Sequence, residues 1–234
     1  MSSNPAATSA VPRDDVSALI LGAGMGLRMG LGPKAFITYS GITLLEHAAA
    51  AVTPFASEIV LGVRAEDLEK AQALFAGQGH KIVAGGATRQ ETVSRVLRHA
   101  TRPIVLLHEV ARPFVPPNCF QQVLAAAAEA GAASLFLHLE RRDSIALLDD
   151  DALSEILPRN RVVMLQTPHA YRRDVLLAAD DQAIAAGWIE DGTAAMVKRA
   201  GYPVRLVEGS AENVKLTYAT DAAVIQQPPA GTTG

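Results

Sequence analysis

A glycine-rich stretch, Leu21-Gly22-Ala23-Gly24-Met25-Gly26-Leu27-Arg28-Met29-Gly30, carries the densest potential chemistry in the chain, and Pro33-Lys34 follows it. Glycines at alternate positions remove Cβ atoms where a backbone turns sharply, and they let successive N–H groups approach an anion. Arg28 and Lys34 add cationic donors to the same region. The stretch reads as an anion cradle; the alternative is a glycine-rich turn beside solvated basic residues. Two familiar glycine motifs do not fit. A dinucleotide fingerprint, Gly-x-Gly-x-x-Gly, fails because its last glycine falls on Leu27 or Met29. A P-loop fails because Lys34 lies between Pro33 and Ala35 rather than in Gly-Lys-Ser/Thr.

A cradle of this kind needs a rigid frame. Short apolar runs recur at Ala18–Leu21, Glu58–Val63, Ile104–His108, Ser134–Leu139 and Val162–Gln166, with weaker ones at Lys81–Ala84 and Val204–Val207. Several are nearly continuous Val, Ile and Leu, as expected for strands covered on both faces. Helical patterns lie between them. Thr43-Leu44-Leu45-Glu46 and Thr88-Arg89-Gln90-Glu91 have capping-box spacing, and Asn118 stands where it can cap the Ala-rich pattern running to Ala130. The alternation predicts an α/β fold: a Rossmann-like, mostly parallel sheet with helices on both faces. Ligands of such sheets sit outside the carboxyl ends of the strands.

Composition sets the remaining bounds. Of 234 residues, 49% are hydrophobic and 19% charged, which excludes disorder over most of the chain. A net charge of −3 gives no global attraction for nucleic acid or anionic membrane, so an anion site has to be built locally. The one cysteine, Cys119, excludes an internal disulfide and a Cys-based zinc site and reads as a core thiol. No targeting or membrane-spanning pattern is read, and a cytoplasmic location is expected. Residues 1–15 and 227–234 are expected to be a flexible leader and tail around a single domain at 16–226. One segment, about 140–161, breaks the alternation. Ser144–Leu148 and Ser154–Leu157 are spaced to pair as a hairpin, a protruding β-arm with Asp149-Asp150-Asp151 at its turn.

The loop also matches the nucleotidyltransferase pattern Gly-x-Gly-x-Arg-Met followed by Pro-Lys. From about Ser17 to Ile225 the chain resembles the 2-C-methyl-D-erythritol 4-phosphate cytidylyltransferases of the non-mevalonate isoprenoid pathway. Further strings occur in the family's order: Gly85-Gly86-Ala87-Thr88-Arg89-Gln90-Glu91-Thr92-Val93, His108-Glu109-Val110-Ala111-Arg112-Pro113, Arg142-Asp143-Ser144 and Gln166-Thr167-Pro168. The last is Val207-Glu208-Gly209-Ser210-Ala211-Glu212-Asn213-Val214-Lys215-Leu216-Thr217.

The resemblance implies a nucleotide-diphospho-sugar transferase type of fold and transfer of CMP from CTP to a small phosphorylated polyol. Gly24, Gly26, Arg28 and Lys34 would then cradle the triphosphate, Lys215 would face the α-phosphate, Gly86 and Thr92 would contact the cytidine, and Gly22 and Ala23 would belong to the same nucleotide-binding loop. Glu109 takes the family's metal-binding aspartate position, where a hard carboxylate oxygen suits Mg²⁺. Arg112, Thr167 and Asp191 would hold the acceptor, with Ser144 and Arg159 reaching it from the arm of a second subunit in a homodimer. By residue type alone, Lys215 also reads as an edge lysine, Arg112 as a strand exit and Thr167 as a turn residue before proline. His108 is read as packing, since a phosphate nucleophile needs no general base.

Several positions depart from the family's pattern. Glu109 replaces aspartate, Val110 replaces alanine, Ala35 follows Pro-Lys in place of glutamine, and His169 follows Thr-Pro in place of glutamine. Ile189-Glu190-Asp191-Gly192-Thr193 departs furthest and sets Asp191 where a threonine is expected to face the acceptor. These changes keep open two alternatives: a cytidylyltransferase for another alditol or sugar phosphate such as ribitol 5-phosphate, and a non-catalytic nucleotide-binding paralogue.

Overall fold

Apolar residues at successive positions of β1 (Val16–Leu21) point to opposite faces, and each face finds its own core. Ala18 and Ile20 pack with one set of buried residues, Leu19 and Leu21 with the other. The computed structural model describes residues 11–26, 30, 32–139 and 144–221. After β1 come the short antiparallel pair β2 (Thr38–Tyr39) and β3 (Ile42–Thr43), then α1 (Leu44–Val52), β4 (Glu58–Val63), α2 (Leu68–Leu74) and β5 (Lys81–Ala84). Then follow α3 (Arg89–Leu97), β6 (Ile104–Glu109), α4 (Pro117–Ala130), β7 (Ala132–His138) and the hairpin β8 (Ile145–Asp149) and β9 (Ala152–Leu157). The described elements end with β10 (Val163–Arg172), α5 (Arg173–Ala186), α6 (Thr193–Arg199) and β11 (Arg205–Glu208).

Seven strands form one sheet in the order β11-β7-β10-β6-β1-β4-β5. All pairings in it are parallel except those of β10, which runs antiparallel to both β6 and β7. The helices α1, α2 and α4 contribute buried residues to one core, and α3, α5 and α6 to the other. This is the expected mostly parallel, doubly covered sheet, and the hairpin stands as a separate two-stranded sheet. Among the described residues no helix is long and apolar enough to cross a membrane.

Local signals fared unequally. Thr43 and Glu46 form the complete capping box of α1. At α3 the Thr88 hydroxyl accepts from Glu91 N (3.1 Å), but the Glu91 carboxylate accepts from Ala87 N (2.8 Å) instead of closing back on Thr88. Asn118 does not cap α4. That helix starts at Pro117, where a missing N–H and a preset φ suit the first turn, so Asn118 lies inside it. Residues 13–15, expected to be part of a flexible leader, form a 3₁₀ turn, and Arg13 Nε donates to Ala56 O (2.9 Å). The expected leader at 1–10 and the tail at 227–234 lie outside the described residues. Pro168 does not end β10, because a register shift between Gln166 and His169 absorbs it and pairing with β7 resumes. Cys119 is buried in the core, as read.

At the amino end of β4, Glu58 fastens three segments together. It accepts from Ser17 Oγ, from Thr101 N (2.7 Å) and Thr101 Oγ1 (3.0 Å), and pairs with Lys81. Burial alone raises its carboxyl, but Lys81, Ser17 and Thr101 outweigh burial and hold it at about 2, below its ordinary 4.5. A depressed carboxyl contributes stability above the unfolded value and loses it as pH falls through the folded one. Glu58→Gln is therefore expected to destabilise the protein at neutral pH by about 2 kcal/mol and to flatten the stability profile between pH 4.5 and 2. Urea titrations across that window check it; an unchanged slope would contradict the assignment.

Candidate active site

Parallel register brings the chemistry to one edge. Leu21 pairs with Gly62 on one side and Glu109 on the other, and Val63 pairs with Ala84. The loops leaving β1, β5 and β6 therefore open at the same carboxyl end of the sheet. There they enclose a cavity of about 470 Å³. Ala23, Gly24, Gly26, Lys34, Gly86, Thr92, Glu109 and Lys215 all line it, with Arg89 among them.

The first loop curls on itself, with Lys34 N donating to Gly24 O (3.4 Å) and Gly30 N to Gly26 O (3.3 Å). Glycine is required at 26, where φ is +67° and a Cβ would come within 2.2 Å of Gly32 O. Gly22 does something else: its N–H is spent on Gly62 O (2.7 Å), and a Cβ would crowd Leu45 and that carbonyl. It lies behind the cavity as the close contact between loop and sheet, so its N–H does not serve the cradle. Ala35 is wholly buried beside it, which explains a small apolar residue after Pro33-Lys34. Arg28 lies outside the described residues.

On the opposite wall, Gly86 N donates to Thr92 Oγ1 (3.0 Å), and Thr92 donates in turn to Thr88 O (3.0 Å). A Cβ on Gly86 would meet Glu91 Cβ at 2.2 Å, so the turn into α3 is possible only for glycine. Thr92 both shapes this wall and lines the cavity.

At the floor is a charge cluster. Glu109 Oε2 pairs with Lys215 Nζ (2.8 Å), and Glu109 Oε1 accepts from Arg89 Nε (2.9 Å). Burial pushes the Glu109 carboxyl up, but the two cations prevail and hold it at about 2, so it is ionised at neutral pH. Lys215 does not lie on a strand. It belongs to an irregular segment after β11, anchored where Leu216 N donates to Ala111 O (2.8 Å). The same turn accepts Lys34 Nζ at Leu216 O (2.6 Å), which brings the two lysines to one wall.

This cavity, cationic at two lysines and an arginine with one carboxylate among them, suits a polyphosphate more than a neutral ligand. A family model for 2-C-methyl-D-erythritol 4-phosphate cytidylyltransferase matches residues 16–227. The chain belongs to that family. It is 37% identical over 210 residues to the 2-C-methyl-D-erythritol 4-phosphate cytidylyltransferase of Deinococcus radiodurans, covering 90% of this chain and 88% of the relative. Identity with the Thermus thermophilus protein of the same name is 38% over 212 residues, 91% and 96% of the two chains. A crystal structure of the Thermus thermophilus enzyme superposes with a TM-score of 0.77 at 36% identity, covering 90% of this chain and 97% of that one. A 4-diphosphocytidyl-2C-methyl-D-erythritol synthase structure from Anaerococcus prevotii, at 23% identity and TM-score 0.79, covers 92% of this chain and 97% of that one and shares the fold.

In this family member the expected acceptor residues do not form part of the cavity lining. Arg112 is buried and donates through Nη1 to Asn213 O (2.6 Å). Asn213 Nδ2 donates to Thr167 O (2.8 Å) and to Gln166 Oε1 (3.3 Å). Arg112 and Thr167 thus meet through Asn213, two residues before Lys215. Thr167 Oγ1 and Arg112 Nε are buried without a partner among the described residues, the state expected of groups kept for a ligand or water. Asp191 is exposed and lines none of the cavity; from its segment it is Thr193 that turns inward, accepting from Arg89 Nη1 (2.9 Å). His169 is buried with Nδ1 against Tyr171 Oη (2.7 Å), and burial holds its imidazole at about 3, so it is neutral. His108 is likewise buried, edge-on to Phe120, as packing requires. Ser144 and Arg159 flank the exposed hairpin, and neither lines the cavity of their own chain. Arg142 and Asp143 lie outside the described residues.

Sequence reasoning missed Arg89 and Asn213 as site residues, although both stand in strings that carried the family resemblance. The signal for Arg89 was its place in the first turn of a helix that follows a glycine pair, where its side chain reaches back over the strand ends. Asn213 showed no signal beyond its string, because its role depends on a contact with β10.

The fit to a metal can be judged from the donors. Among the described residues no three His, Cys, Asp or Glu side chains gather, and both Glu109 oxygens are taken by cations. These residues do not form a resident, protein-made Mg²⁺ cage. One carboxylate beside an open cavity is compatible with Mg²⁺ carried in by a triphosphate, which supplies the other oxygens itself.

Proposed function

We propose that this chain transfers CMP from CTP to 2-C-methyl-D-erythritol 4-phosphate, giving 4-diphosphocytidyl-2-C-methyl-D-erythritol and pyrophosphate. One observation carries the reading: Lys34, Lys215, Glu109 and the two glycine loops line a single cavity in a chain of this family. A phosphate oxygen of the acceptor attacks the α-phosphorus of CTP, the new P–O bond forms, and the bond to the β-phosphate oxygen breaks. Both reactants are anions, so the protein's task is positioning and neutralisation. The loop at 23–26 and Lys34 hold the triphosphate; Gly86 and Thr92 shape the cytidine wall; Lys215 leaves Glu109 to meet charge at the α-phosphate. Glu109 is the residue that would hold a Mg²⁺ ion accompanying the triphosphate, and such an ion would neutralise phosphate charge during transfer. Arg112 and Thr167 serve the acceptor.

The working unit is a cytoplasmic homodimer. Support comes from the hairpin and the start of β10, where Leu147, Leu148, Leu153, Ile156, Met164 and Leu165 are each exposed, a concentration of large apolar side chains in one region that a monomer does not explain. A second copy would cover it and bring its Ser144 and Arg159 to the acceptor phosphate.

Ribitol 5-phosphate loses its support as an alternative acceptor, since the departures that favoured it, His169 and Asp191, are buried on Tyr171 and turned to solvent respectively. The test is pyrophosphate release from CTP with a panel of phosphorylated polyols. Release with methylerythritol phosphate is expected; release only with ribitol phosphate would overturn the acceptor, and none with any acceptor would leave a binding protein.

A further inference from the structure

The first turn of α3 holds a loop that the cytidine wall does not need. Arg89 uses one edge of its guanidinium on Glu109 Oε1, with Nε and Nη2 both at 2.9 Å, and donates from Nη1 to Thr193 Oγ1 at 2.9 Å. Gln90 beside it donates to Trp188 O (2.8 Å) and accepts from Glu190 N (2.9 Å). From the far side, Arg199 of α6 pairs with Glu190 (2.6 Å) and lies 4.5 Å over the Trp188 ring. Residues 188–193 are therefore fastened at both ends, and one side chain, Arg89, joins them to the acid on the cavity floor.

We propose that Arg89 is a positioning residue of the transfer reaction, holding Glu109 and the start of α6 in one geometry when Lys215 moves to the phosphate. The inference rests on the cytidylyltransferase reading above. Lys215 cannot neutralise Glu109 and the α-phosphate equally at once. Glu109 is buried, and a buried carboxylate left without a cation is strongly disfavoured. Arg89 remains with it because its planar fork spans two fixed partners, a geometry that a lysine ammonium does not reproduce. The residue acts through Glu109 and Thr193, and no contact with the reacting atoms is assigned to it.

The experiment uses the full chain and four variants: Arg89→Gln, Arg89→Lys, Thr193→Val, and Arg89→Lys with Thr193→Val. Turnover with methylerythritol phosphate, CTP affinity by calorimetry without acceptor, and amide hydrogen exchange over 188–196 without substrate are measured. Arg89→Gln should lower kcat about 10- to 100-fold while CTP affinity stays within about threefold. Thr193→Val should add nothing to the loss in Arg89→Lys, because both break the same contact, and each should raise exchange at 190–194. Unchanged kcat in Arg89→Gln, an equal loss of CTP affinity, or additive losses would overturn the proposal. Should Arg89→Gln fail to fold, the lysine and valine variants decide alone. If the unaltered chain releases no pyrophosphate with any acceptor, the functional reading has failed; the exchange data then stand separately, and unchanged protection overturns the Arg89 tether.

Discussion

Replacing Lys215 by alanine is expected to lower kcat about 10²- to 10³-fold while weakening CTP binding less than tenfold. The asymmetry follows from where the charge changes. In the free protein the Lys215 ammonium is committed to Glu109 at 2.8 Å, and the proposed function assigns the grip on the triphosphate to the first loop and Lys34, which line the cavity. As the α-phosphorus passes between two oxygens, charge builds on the equatorial oxygens, and a cation placed there is worth more in the transition state than in the ground state. Loss of such a contact lowers turnover and leaves ground-state affinity nearly intact. Glu109 keeps Arg89 in the variant, so the fold should survive and melting should shift little. Single-turnover rates and calorimetric CTP titrations of the same preparation check this; parallel losses in both would show that Lys215 only binds.

The second large effect concerns the arm. Leu148 and Leu153 are cross-strand partners in the hairpin and are 76% and 65% exposed. Charging both, Leu148→Asp with Leu153→Asp, should give a monomer by sedimentation and lower kcat/KM for the acceptor by about 100-fold. Buried apolar area at an interface contributes roughly 25 cal/mol per Å², and two desolvated carboxylates would oppose it. The central sheet should melt as before, since the hairpin is hydrogen-bonded only within itself among the described sheets. A mixing experiment reads the sharing of sites directly. Arg159→Ala and Lys215→Ala chains, each nearly inactive alone, should on subunit exchange recover about a quarter of normal activity, because a mixed dimer has one site with both residues intact. A monomeric variant with full activity, or no recovery on mixing, would refute the composite site.

How far the sequence reaches can be judged residue by residue. Strand positions at Glu58–Val63 and Lys81–Ala84 are readable to the residue, because apolar, β-branched runs between turn residues have few other uses in a chain of this composition. The Thr43–Glu46 box is readable because both partners lie within one helical turn. Asn118 and Thr88 show the limit: Pro117 takes the first position of α4 and leaves Asn118 inside the helix, while Thr88 caps α3 but the Glu91 carboxylate accepts from Ala87 N instead of closing the box. The arm is legible as a hairpin from its acidic turn, where Asp150 adopts a positive φ of 48°. Its apolar surface is legible only once the rest of the core is seen to be full.

Lys34, Gly86, Thr92, Glu109 and Lys215 come from distant parts of the chain, yet their types and the strings around them were enough to nominate them. Composition, periodicity and glycine spacing by themselves determined a doubly covered, mostly parallel sheet and a glycine-rich loop at the end of its first strand, because those depend on neighbours within a few residues. Tertiary structure alone decided that Gly22 supports the cradle while Gly24 and Gly26 form it, that Arg112 and Thr167 meet through Asn213, and that Thr193 rather than Asp191 turns inward. Each of those outcomes depends on strand register and on loops that close across contacts such as Arg89 to Thr193, 104 positions apart, and Thr167 to Asn213, 46 apart. No local pattern encodes which of two neighbouring polar side chains will find a partner across that distance.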